Sequence, residues 1–144
     1  DDLLPFSISK TTRFRPVIHN VGDIGHEVPV WDIADKFGDN TNLLVTNVDH
    51  GRDLAQCLGC NRMALMRAHG FVLAGLSASD LVRLAVYIPR NARTLMQAMQ
   101  MGEYKELSRG EIEARLALDI HSPALKRGWE FWAREVGCED LLAD

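Results

Sequence analysis

Three features of the sequence predict an α/β domain. Met63 to Met66 and Phe71 to Ala74 are short apolar runs that read as buried strand segments. Leu81, Leu84, Ala85, Ile88, Ala92, Leu95, Met96 and Met99 recur at three- and four-residue steps, the apolar stripe of a long helix. The 144 residues, 47% apolar and 25% charged, suit one globular domain, with no repeat, low-complexity tract or internal boundary.

Along the chain, residues 11 to 50 carry Pro16, Pro29 and several glycines between the β-branched runs Val28 to Ile33 and Leu43 to Thr46, which read as strands joined by turns. Asn47 or Asp49 caps a short helix that runs through Leu58 and stops at Gly59. The strand pair around His69 follows. Ser77 or Ser79 starts the long helix, which runs to Gly102 and is expected to kink near Pro89, where a backbone donor is missing. In the tail, Ser108 opens a helix over Glu111 to Ala117, and Ser122-Pro123 opens another to Val136. Leu125, Trp129, Trp132 and Val136 share a face of the last one, with Phe131 beside them.

The clearest chemical signal is His69, set between the two apolar runs where the chain breaks at Gly70. An imidazole held by rigid strands makes a metal ligand or an acid/base. Arg13 and Arg15 have the fork geometry for a carboxylate, with solvated arginines as the structural alternative. Cys57-Leu58-Gly59-Cys60, with His50 upstream, has zinc-knuckle spacing, but a second pair is missing and Cys57 occupies a helical position facing the core. Met63, Met66, Met96, Met99 and Met101 read as core filling, Tyr87 as core packing, and His26, His50 and His121 as surface residues.

The block ALMRAHGFVLAGLSASDLVRLAVYIPRNARTLMQAMQMG, with the upstream run RFRPVIHNVGDIGHEVPVWDIADKFGDNTNLLVTNVDHGRDLAQCLG, resembles the C-terminal part of the class II aldolase/adducin family, from about Pro5 to Met101. Its nearest branch is the pyridine-dicarboxylate and dihydroxyphthalate decarboxylases. The resemblance implies a layered domain over residues 1–144 with a mostly antiparallel central sheet flanked by helices, incomplete at the N-terminus. It implies that His69 is one of three imidazoles on a divalent metal ion (zinc, manganese or ferrous iron). The other two would form a His-x-His pair upstream of Pro5-Phe6, which these residues do not contain. His19 is then expected near the active-site mouth as an acid, with Arg15 and Arg13 binding an acidic small-molecule substrate. A homotetramer with sites completed by neighbouring subunits is also implied. The expected activity is decarboxylation of a hydroxylated aromatic or heteroaromatic acid. A sugar-phosphate aldolase or epimerase, an iron oxygenase branch and a metal-free adducin-like interaction module are the alternatives.

A formal charge of -4, with no basic stripe interleaved with aromatics, gives no reason to expect a nucleic-acid partner. No apolar run of about 18 residues spans a bilayer. The acidic start lacks the basic segment of a signal peptide, and three cysteines, an odd number, do not suggest a disulfide framework, so a cytoplasmic location and reduced thiols are expected.

Overall fold

Met63–Met66 has no polar face because neither of its faces meets water: it forms β2, the middle strand of a three-stranded sheet ordered β1-β2-β3, and all four of its residues are buried. The computed structural model describes residues 2–119 and 122–142. β3 (Gly70–Leu73) pairs with β2 antiparallel, Leu65 opposite Phe71, across the turn at residues 67–69. β1 (Val30–Trp31) pairs with β2 in parallel, Val30 opposite Leu65.

The sheet is therefore mixed, not mostly antiparallel. The physical reason is the connection: α2 (Ile33–Phe37) and α3 (Val48–Leu58) carry the chain back to the starting end of the sheet, and such a helical crossover returns the next strand parallel. Side chains alternate between the faces of a strand. Met63 and Leu65 of β2 join the larger core, with Leu3, Phe6, Phe14, Val21 and Ile24 from the N-terminal segments and Leu84, Ile88, Ala92 and Leu95 from α4 (Ala78–Met101). Met66 joins Trp31 and Ile33 in a second cluster, packed by Leu54 and Cys57 of α3. Helices thus cover both faces, which explains a strand without alternation.

Residues 11 to 50 depart from the strand-and-turn expectation. His19–Ile24 forms a 3₁₀ stretch, and a short helix, α1 (Leu4–Ile8), precedes it. The strand expected over Val28 to Ile33 shrinks to two residues because the Asp32 carboxylate accepts from Ala34 N at 2.9 Å and starts α2. Leu43 to Thr46 is an irregular loop: Thr41 Oγ1 and Asn42 Oδ1 accept from the backbone of Leu43 and Leu44, each at 3.1 Å, competing with any ladder.

The helices follow their end signals. Asn47 Oδ1 accepts from His50 N at 2.9 Å to cap α3. Ser77 Oγ accepts from Asp80 N at 3.2 Å to cap α4, which continues through Pro89 as one helix. Gly75 lets the loop before α4 close tightly: a Cβ there would lie 2.5 Å from Leu81 Cγ. α5 (Arg109–Leu116) opens with a capping box between Ser108 and Glu111. On α6 (Pro123–Glu135) Trp132 meets Tyr87 of α4 edge-on at 5.8 Å, while Ala133 is buried. Val136 does not share the packed face. It lies beyond the last helical turn and is 72% exposed, and Phe131 is exposed as well. Met99 and Met101 near the end of α4 are likewise exposed and do not fill the core. No helix among the described residues is long and apolar enough to cross a membrane.

Candidate functional site

β2 ends at Met66, and the turn to β3 is held at several points. Met66 O accepts from His69 N at 3.0 Å, and Trp31 O accepts from Arg67 N at 2.9 Å. Ala68 sits in the left-handed region, φ 56°, at a cost of about 1–2 kcal/mol for a residue with a Cβ. Its N–H donates to the buried Ser7 Oγ at 3.1 Å, and Ser7 in turn donates to Leu4 O at 2.8 Å, so α1 holds the strained turn. The Arg67 guanidinium is ion-paired with Asp32. For that carboxyl, burial pushes the pKa up, but the hydrogen bonds from Arg67 and Ala34 N outweigh it and leave it lowered.

This scaffold leaves His69 exposed, beside an open cleft of about 330 Å³ walled by Leu3, Leu4, Gly70 and Phe71. A neutral imidazole there offers a nitrogen lone pair to a metal or a proton to a substrate. The residues expected to bind substrate lie elsewhere. Arg15 Nη1 donates to the carbonyl of His26, and its Nε lies 3.4 Å from Glu106 Oε2. Arg13 is exposed, and His19, also exposed, begins the 3₁₀ stretch. None of the three lines the His69 cleft. The segment carrying Arg15 is fixed from α4: Asn91, fully buried, accepts from Val17 N at 2.8 Å and Ile18 N at 3.1 Å, and donates to Arg15 O at 2.8 Å.

Two histidines are less superficial than expected. His26 is half-buried, with Nε2 shut off from water and unpaired; His50, also half-buried, lies against the Phe37 ring at 4.6 Å and accepts from Thr46 N. His121 lies outside the described residues. All three cysteines are free. Burial, aided by the charge of Asp53, pushes the Cys57 thiol up, so it stays protonated and unreactive. Among the described residues no three or more His, Cys, Asp or Glu side chains gather to hold a metal, so His69 stands as a single donor and these residues do not compose a complete metal centre.

A cluster that sequence reasoning missed lies at the other end of the hairpin. Arg62 is ion-paired with both Asp23 and Asp80, and Arg83 with the same two carboxylates, its Nη2 2.8 Å from Asp80 Oδ1. Arg83 also donates to Asn20 O at 2.6 Å. Asp23, Asp80 and Arg83 are buried. Burial pushes the Asp80 carboxyl up, but the Leu76 N–H, Arg83 and the charge of Arg62 bring it below its ordinary value. The only local signal was the Asp80-x-x-Arg83 spacing, which places both on one side of α4.

No protein-family model matches the chain. The chain is similar to decarboxylase tropJ of Talaromyces stipitatus, 30% identical over an alignment 153 residues long that covers 93% of this chain and 57% of that protein. It thus spans little more than half the length of this relative, and is related to a protein that bears the name of a decarboxylase.

Proposed function

We propose that the chain forms part of a metal-dependent lyase of the class II aldolase/adducin type, which releases carbon dioxide from a hydroxylated aromatic or heteroaromatic acid. The observation that carries this reading is the anchored turn at residues 67–69, which holds the imidazole of His69 exposed at the mouth of a cleft. The name of the relative supports the decarboxylase branch over a sugar-phosphate aldolase. His69 supplies one ligand to a zinc, manganese or ferrous ion, and the remaining ligands come from residues outside those described. Such an ion, when bound, would act electrophilically, drawing off the charge left on the ring. Phe71 and Leu3 give the ring an apolar wall, and the anchored turn fixes the backbone from which the imidazole projects. Arg15 with His19, from the segment clamped by Asn91, recognises the substrate's second acidic group, in an assembly of several subunits.

The test is a comparison of metal content and carbon dioxide release in the complete protein and in three variants. His69→Ala is expected to lose metal and activity together. Arg15→Ala is expected to keep the metal and lose about 2 to 4 kcal/mol in kcat/KM, with Arg15→Lys restoring only part. Unchanged metal content in His69→Ala rules out the ligand role, and full activity in Arg15→Ala rules out the recognition role.

A further inference from the structure

We propose a second binding site, for a small monocarboxylic acid with a compact apolar body, in the cavity bounded by Arg62, Arg83 and Arg115. The cavity measures about 350 Å³, at the small end of ligand pockets, and is walled by these arginines, Asp23 and the leucines of the α5–α6 region. It stands at the open end of the β2–β3 hairpin, where Ala74 N donates to Arg62 O at 2.8 Å. His69 is at the closed end, four strand residues or roughly 13 Å away. The site is therefore separate from the one proposed for catalysis.

Charge selects an anion. Around the cavity three guanidiniums face two carboxylates, and Asp23 and Asp80 are both taken up by Arg62 and Arg83. Arg115 is left over. Its stem is wedged against Gly22, where a Cβ would fall 2.8 Å from Arg115 Cγ, so the side chain has little freedom to swing out to solvent. The Nε atoms of Arg115 and Arg83 are both buried and have no hydrogen-bond acceptor among the described residues. The Arg115 side chain lines the cavity and has no acidic partner among the described residues, and an incoming carboxylate would give its guanidinium a charge-assisted pair.

The apolar walls select the rest of the ligand. Leu76, Leu116 and Leu118 are 72%, 54% and 48% exposed, and all three line this cavity together with Leu125. Leucines left open around a half-buried arginine fit an aryl or branched alkyl acid better than a bare inorganic anion, which would gain nothing from them.

Benzoate serves as the probe, benzamide as its uncharged counterpart and sulfate as the bare anion, each titrated into the full chain while leucine methyl and arginine Nε–H resonances are followed. Benzoate is expected to shift Leu116, Leu118, Leu125 and the Nε–H of Arg115 with one saturating dissociation constant. Benzamide and sulfate should bind at least about tenfold more weakly. Arg115→Met, which keeps the stem against Gly22, should weaken benzoate at least about tenfold, the worth of one charge-assisted pair, and Arg115→Lys should recover part of the loss. Since benzoate also resembles the acids proposed as substrates, His69→Ala separates the sites: benzoate binding should be unchanged in it. No shift at these leucines in the unmutated chain, equal binding of sulfate, or benzoate binding that survives in Arg115→Met and disappears in His69→Ala would each overturn the assignment and leave the reading of His69 untouched.

Discussion

Replacing Asn91 by Leu removes a clamp whose strength can be worked out from its geometry. The carboxamide accepts two backbone N–H groups, Val17 at 2.8 Å and Ile18 at 3.1 Å, and donates to Arg15 O at 2.8 Å, from a position with no exposure. Leucine fills the volume but leaves two donors and one acceptor without partners. Each such group costs about 1 to 3 kcal/mol if it stays dry. Val17 and Ile18 are only half-buried, so water reaches part of the released backbone and the lower end applies. The expected loss is about 3 kcal/mol, a large part of the ~5 to 15 kcal/mol that holds a typical domain together. Asn91→Asp keeps both acceptor contacts but turns a carboxylate oxygen toward Arg15 O, and is expected to cost nearly as much. Urea unfolding followed by fluorescence of Trp31, Trp129 and Trp132 measures both, with the slope unchanged if the unfolded state is unaltered. A loss under about 1 kcal/mol for Asn91→Leu would show that the 15–18 segment is held by other means, such as the bond from Leu107 N to Pro16 O.

Two other expectations rest on single residues. Asp80 titrates lower in the folded chain than in the unfolded one, so its contribution to stability is whole above the unfolded value of about 4 and is lost as the pH falls through the folded value; Asp80→Asn should flatten that acid limb in urea titrations between pH 5 and 2, and an unaltered limb would remove Asp80 from the account. Gly75→Ala sets a Cβ 2.5 Å from Leu81 Cγ and 3.2 Å from its backbone nitrogen, so the α4 N-terminus must shift, at about 1 to 3 kcal/mol in thermal unfolding; a neutral result would mean that the loop has room to relax.

Much of the hairpin, α3 and α4 was legible because their signals are local: uniform apolar runs for β2 and β3, Asn47 and Gly59 at the ends of α3, Ser77 at the start of α4. Residues 11 to 50 were not, because their outcome depends on competition. Val28 to Ile33 has strand composition, yet the Asp32 side chain captures Ala34 N and turns the chain into a helix. Leu43 to Thr46 has the same composition, and side-chain bonds from Thr41 and Asn42 hold it as a loop. The direction of β1 could not be read either, since parallel pairing follows from a crossover that begins with α2, a helix standing where strand and turn were expected. As for the candidate sites, the exposed turn position of His69 was legible from its neighbours in sequence, whereas Asp23, Arg62 and Asp80 meet across separations that carry no periodicity.

The parallel pairing of β1 with β2 also dictates an order of assembly. β2 and β3 are closed by a three-residue turn, and a hairpin of that kind forms in roughly 1 to 10 μs. Trp31 must find Met66 across 35 residues, a closure that costs about 2 kcal/mol more in chain entropy by the logarithmic law. The hairpin is therefore expected to nucleate, with β1 docking onto it late and bringing the Trp31–Ile33–Met66 cluster together on the downhill side of the barrier. In stopped-flow kinetics, truncations at Trp31 should mainly accelerate unfolding and those at Val72 mainly slow refolding, and the reverse pattern would put the parallel pair in the nucleus.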